Sequence, residues 1–360
     1  MNYGKVSDNV YRRTVYKTIH TISYQDTFYN KMGNSAVNGA DCAILPPSDK
    51  DMAAVTDTAQ ASGIDTRVAV RALQHAMNHL AVLGVDLNAA DTDLAAAAEN
   101  EDTVAKAAAK AYISLSILLP AELREAKLRA ILENVSVVSD NLKAPIVHTE
   151  TQVITGIQTV IASVHVTAYA MKDSLIKAGK ALPGQDVVMT KWLGIEGTAV
   201  IADKKAAELE SRYPLSIIEE AASFDRYLSV IPEAATAAKS DVSAMCAARE
   251  GGIFGALWEL AQDSGVGLVI DLRKIPVRQE TIEVCEFYDI NPYKLIAGGS
   301  LLITTDNGGQ LVAELSEKGI PAAVIGRTTE GNDKILQNED EIRYLEPARE
   351  DEIYKIKLSY

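Results

Sequence analysis

Between Gly184 and Pro347, short apolar runs alternate with helical patterns, and only a few residues separate one from the next. Strand-length runs fall at Val187–Thr190, Val242–Ala247, Gly267–Asp271, Ser300–Thr304, Ala322–Gly326 and Ile342–Tyr344. Helical spacing falls at Gly197–Lys205, Ser216–Arg226, Glu233–Lys239, Gly252–Ser264, Thr281–Phe287, Pro292–Leu295 and Asn307–Lys318. Each run is bounded by glycine, proline or small polar residues, which is the signature of an element end. Alternation with short connections predicts an α/β or α+β domain.

The N-terminal half is less regular. A short helix is expected over 7–20, loop over 21–40, and a strand–turn–strand from Cys42–Leu45 through Pro46-Pro47-Ser48-Asp49 to Ala53–Thr56. Residues 66–84 form one helix face with Val68, Leu73, Met77, Leu80 and Leu83, and Gly84 ends it. The alanine-rich stretch 89–111 has high helix propensity and a small-residue face; disorder is the alternative. Strands are expected at Tyr112–Leu118, Ala144–Glu150 and Thr159–Ala170, with an amphipathic helix over 121–142. In the last strand Val160, Val164 and Val166 face one way and Ser163, His165 and Thr167 the other. The polar segment 171–184, with Gly179 and Pro183-Gly184, reads as the linker. It predicts two domains, 1–175 and 176–360, as a 360-residue chain requires.

A formal charge of −14 argues against nucleic acid as a partner and against anionic membranes, because both need a basic surface. Apolar residues make up 48%, enough for packed cores. No run approaches the roughly 20 apolar residues of a membrane helix, and the N-terminus has no apolar signal region. The expectation is a soluble cytoplasmic protein. Cys42, Cys246 and Cys285 stand far apart, as reduced structural thiols do. His75 and His79 lie four residues apart on one helix, but no HExxH glutamate or third ligand accompanies them. Gly194-Ile195-Glu196-Gly197 opens a helix and reads equally as a tight turn or an anion site.

Five short motifs occur in order: Gly39-Ala40-Asp41-Cys42-Ala43, Thr56-Asp57-Thr58, Asn78-His79, Val147-His148-Thr149-Glu150 and Cys246-Ala247-Ala248-Arg249-Glu250-Gly251-Gly252. With the blocks at 184–199, 249–261, 285–303 and 319–327, they resemble the aminoimidazole-ribonucleotide synthetase superfamily, on the side of the hydrogenase maturation carbamoyl dehydratases. The resemblance implies a mixed-sheet first domain that pairs with its copy in a homodimer, and an α/β second domain. It implies ATP in a cleft, with Gly39, Asp41, Asp57, Asn78, His148, Thr149, Glu150, Glu250, Gly251 and Gly252 around it. Asp41, Asp57 and Glu150 would hold Mg2+, which takes hard oxygen ligands and shares its shell with phosphate. Such proteins use ATP to activate a carbonyl or amide oxygen as a phosphate ester. No catalytic residue and no substrate follow from the motifs.

The departures are physical. His79 stands where the family has a carboxylate, and an imidazole is a poor magnesium ligand. Ile146 and Val147 stand for two phosphate-loop glycines, which blocks positive φ and close backbone approach. Arg249 replaces a threonine, and the family's His-Asp before it is gone. The C-terminal cysteine of the dehydratase branch has no counterpart in Ile356-Lys357-Leu358-Ser359-Tyr360, so carbamoyl acceptance there is not expected. Two classes of function stand side by side: an ATP-dependent enzyme, with a part in hydrogenase-type protein maturation, and a non-catalytic paralogue that acts as an assembly or regulatory partner. In either, the 89–111 segment is expected to be helical and to pack over or beside the nucleotide cleft, a surface excursion without a role being the alternative.

Overall fold

The computed structural model describes residues 43–45, 52–87, 111–172, 175, 181–348 and 350–358. The expected helix over 7–20, Gly39, Asp41, Cys42 and the alanine-rich segment up to residue 110 lie outside the described residues. The chain divides into two compact units, with the boundary between Leu175 and Ile176.

The first unit is a five-stranded sheet in the order β1-β2-β5-β3-β4. The strands are β1 Ala43–Leu45, β2 Met52–Gly63, β3 Ala111–Leu119, β4 Ile146–Val153 and β5 Val160–Met171. Only β3 and β4 run parallel, so the sheet is mixed, as expected. Helix α1, Val68–Val82, packs on β2 and β5, and helix α2, Glu125–Asn141, packs on α1. The strands turn small and branched residues toward α1: Val55 and Ala59, Ile113 and Leu115, Val164 and Val166. Every residue of α1 except Gln74 is buried. Gly84, at φ 80°, closes the helix and donates to Ala81 O at 2.9 Å.

β2 is far longer than the expected Ala53–Thr56. Its whole length pairs with β5, from Met52↔Met171 to Gly63↔Val160. The ladder carries the polar Thr-Asp-Thr-Ala-Gln stretch, whose side-chain pattern alone is too weak to mark a strand. β3 and β5 hold interior positions in this sheet, and β5 packs against α1.

The second unit holds a seven-stranded sheet, β12-β11-β8-β10-β6-β9-β7. In chain order the elements are β6 Asp186–Thr190, α3 Ile195–Lys204, α4 Ala206–Leu209, α5 Leu215–Ala222, α6 Ile231–Ala237, β7 Val242–Ala247, α7 Gly252–Ser264, β8 Gly267–Asp271, α8 Gln279–Tyr288, β9 Leu301–Thr305, α9 Gly308–Glu317, β10 Ala322–Thr329, β11 Lys334–Asn338 and β12 Glu341–Tyr344. Strand–helix alternation is present as expected, but every pairing is antiparallel except β8 with β11, which makes the unit α+β. One core cluster joins Val187, Met189, Phe254, Leu257, Ile270, Leu302 and Ile325; a second joins Ile201, Leu209, Val284, Leu295 and Ile356. The sequence pattern did not mark β11: it is short, and its ladder with β8 supplies what local patterning lacks.

Candidate functional site

In the first unit β2 turns Asp57 toward α1, between the buried Val55 and Ala59. From the facing surface of α1, His79 donates its Nδ1–H to Asp57 Oδ2 at 2.8 Å. The two side chains are 1% and 9% exposed, so the contact is dry. Asn78 beside it is buried. A helix buried on all sides must satisfy its polar residues internally. α1 does this with His79 on Asp57 and with Arg71 on Asp65 at 2.6 Å.

The remaining first-unit motif lies elsewhere. In β4, His148 pairs with Ser114 and Glu150 with Ser116, both on the sheet face turned away from α1. His148 Nδ1 is 3.1 Å from Ser114 Oγ, which fixes that orientation. Thr149 falls on the helix side of an edge strand whose residues from Val147 onward are exposed. On the same outer face His165 binds Thr58 Oγ1 through Nδ1 at 2.8 Å and Thr56 Oγ1 through Nε2 at 2.9 Å. The result is a polar row Thr58–His165–Ser114–His148 across four strands.

Asp57 and Glu150 therefore point to opposite faces of the sheet, with β5 and β3 between their strands. Three strand spacings alone amount to about 14 Å. Mg2+ at 2.0–2.1 Å from its ligands requires oxygens converging on one point. Instead, an imidazole N–H occupies the Asp57 carboxylate. Among the described residues no group of three histidines, cysteines or carboxylates can hold a metal ion, His75 and His79 included. The described part of the ligand set does not fit magnesium.

In the second unit Glu250-Gly251-Gly252 forms the turn into α7. Gly251 and Gly252 have φ of 83° and 64°. A Cβ on Gly252 would stand 2.5 Å from Tyr293 O and 2.8 Å from Leu295 O; one on Gly251 would stand 2.7 Å from Ala348 Cβ. Close packing of the protein on itself already requires both glycines. The Gly251 N–H donates to Asp351 Oδ2 at 2.6 Å, and Glu250 accepts from the Tyr354 hydroxyl at 3.0 Å. Asp351, from the C-terminal segment, thus sits at the start of α7. Sequence reasoning missed it, because nothing local distinguishes it from the other acidic residues nearby.

The buried Lys191–Glu233 pair and the Cys285 thiol of this unit are structural. Lys191, at φ 55°, buries its ammonium against Glu233 at 2.6 Å and the carbonyls of Tyr227 and Ser229 at 3.0 and 2.6 Å. Burial lowers its pKa while Glu233 pulls it back up. Burial, aided by Glu352, pushes the Cys285 thiol up to about 12, so it is an inert core thiol. The Gly194–Gly197 turn is packed by Leu295, with Gly197 N–H on Ile296 O at 3.0 Å.

Residues 183–338 match the model of the AIR synthase related protein C-terminal domain. The carbamoyl dehydratase HypE of Rhizobium leguminosarum bv. viciae is 23% identical over 63% of this chain and 64% of that protein. The chain spans about half to two thirds of the length of the first curated relatives it matches. Its fold is that of hydrogenase maturation protein HypE in complex with ATP, with a TM-score of 0.64 at 15% identity over 98% of this chain and 97% of that one. It is likewise that of HypE in the HypE–HypF complex, with a TM-score of 0.62 at 15% identity over 93% and 99%. Residues 183–338 thus carry the likeness to the AIR synthase related C-terminal domain, and over nearly its whole length the chain, built of two α+β units, has the fold of HypE.

Proposed function

We propose that this chain is a HypE-like factor in which magnesium-dependent phosphoryl transfer at the family locus has been withdrawn, and which serves protein maturation as an assembly or regulatory partner. The observation that carries this reading is His79 Nδ1 on Asp57 at 2.8 Å. Phosphoryl transfer depends on a cation bridging the phosphates to protein carboxylates. Here the carboxylate already has an internal hydrogen-bond donor, and opening that contact would break a dry, charge-assisted hydrogen bond. A protein partner fits the likeness to a HypE captured with HypF.

A second reading, ATP-dependent activation of a carbonyl or amide oxygen, is favoured by the likeness to an ATP complex along nearly the whole chain. One experiment separates the two: calorimetric titration of the full chain with Mg-ATP. The first reading expects binding no tighter than about 1 mM, or none; a low-micromolar constant, some 4 kcal/mol tighter, with turnover of ATP would establish the second.

A further inference from the structure

At one edge of the seven-stranded sheet, β12 pairs with β11 across a tight turn that holds Glu339 at φ 54°. Leu336 lies opposite Arg343 and Asn338 opposite Glu341, so these four side chains share one face. It is the core face, since Leu336 is buried within the first core cluster. Two short turns complete the wall. Leu272–Lys274 brings Leu272 and Arg273, and Pro292–Lys294 brings Tyr293, whose ring stacks on Phe254 at 5.0 Å. Together they line a recess of about 270 Å3. That is just under the roughly 300–1,000 Å3 of drug-sized ligand pockets, and suits a small metabolite.

The protein uses only part of the hydrogen-bonding capacity gathered there. Arg343 donates from Nε and Nη2 to Glu341 Oε1 at 2.8 and 2.7 Å. Glu341 Oε2 and the other Arg343 N–H groups have no partner among the described residues. Arg273 donates from Nε and Nη2 to the Asp271 carboxylate at 3.1 Å each, and its other guanidinium N–H groups are likewise open among the described residues. The same holds for the Tyr293 hydroxyl and the Asn338 carboxamide. The two carboxylates thus fix the planes of the guanidiniums while leaving donors on both.

Charge decides the class of ligand. The two guanidiniums stand against Asp271 and Glu341, and Glu339 and Asp340 on the β11–β12 turn add negative potential at Arg273. A bare anion gains little from so balanced a rim, whereas a zwitterion meets both signs of charge. We propose that this recess binds a free amino acid with an apolar side chain. Its planar carboxylate accepts from Arg273 and Arg343, its ammonium donates to Glu341 Oε2, and its side chain lies on Leu272, Leu336 and the Tyr293 ring. Arg273 and Arg343 are 57% and 68% exposed, so solvent screening keeps the affinity near about 1 mM. No residue that the resemblance assigns to the nucleotide takes part, so this site stands or falls apart from the phosphoryl-transfer reading.

Ligand-observed NMR titration of the full chain tests it, with L-phenylalanine as the probe. Saturation transfer is expected to give a dissociation constant of about 1 mM. Phenylacetate lacks the ammonium and phenethylamine lacks the carboxylate, and each is expected to bind at least roughly 10-fold more weakly. Arg343→Gln and Glu341→Gln, both at exposed positions, are each expected to weaken phenylalanine roughly 10-fold. Glu341→Gln is expected to bind phenylacetate no more weakly than the native chain does. The proposal is overturned if phenylalanine shows no saturation below about 10 mM, or if phenylacetate binds as tightly as phenylalanine. It is overturned equally if either variant binds phenylalanine like the native chain, since the ligand would then lie elsewhere.

Discussion

His79 donates its Nδ1–H to the Asp57 carboxylate across the dry contact between α1 and β2, 2.8 Å apart. An Asp57 oxygen that the resemblance would assign to a metal is here taken up by an imidazole N–H within the protein.

His79→Asp sets two carboxylates against each other in a buried site, which destabilises the metal-free protein by about 1–3 kcal/mol. Millimolar Mg2+ is expected to raise the melting temperature of this variant and to leave that of the native protein unchanged. Differential scanning calorimetry with and without Mg2+ decides it, and a native protein that Mg2+ stabilises counts against the proposed function.

Lys191 and Glu233 form a buried pair, 6% and 4% exposed. Lys191→Ala leaves Glu233 as an uncompensated buried charge, at a cost of about 3–5 kcal/mol in urea unfolding. The double variant Lys191→Met with Glu233→Leu is expected to recover most of that loss, since the charge goes with its partner. A double variant no more stable than the single one contradicts this account.

Two glycines at helix starts give opposite outcomes. Gly252→Ala meets the Tyr293 and Leu295 carbonyls at φ 64° and is expected to destabilise the second unit by at least about 1–3 kcal/mol. Gly309→Ala, in α9 with nothing within 4 Å of the new methyl, is expected to be neutral or to stabilise by up to about 1 kcal/mol. Equal midpoints in denaturant would refute the packing argument for Gly252.

Self-association, if it follows the family resemblance, must use what β3 and β5 leave open: the outer sheet face and the edge strand β4. Val147 and Val153 are 60% and 61% exposed there. Light scattering is expected to give a dimer mass, and Val147→Lys with Val153→Lys is expected to shift it toward monomer, because charge on an edge strand opposes pairing. A monomer in the native protein at micromolar concentration rejects the dimer.

The sequence by itself determined the element order of the second unit up to β10, because there most strands and helices carry their own periodicity and turn residues. Gly252–Ser264 and Gly267–Asp271 are helix and strand at those very residues. It also determined α1, its glycine stop, and the alternation of Val164 and Val166 against Ser163 and His165 on β5. Tertiary structure alone decided the full length of β2 and the existence of β11, since both depend on a partner strand far away in sequence. It alone decided the site. Co-linear motifs place Asp57 and Glu150 in order along the chain, but strand pairing sends them to opposite faces of one sheet. His79 in the sequence is only a lost ligand; the packing of α1 on β2 is what makes it the donor to Asp57. Likewise Asp351 is one acid among many until the C-terminal segment folds back onto Gly251, where burial and three backbone donors set its chemistry. Local periodicity is a property of neighbouring residues, and so can be read from them; a site is made by contacts between residues far apart in the chain.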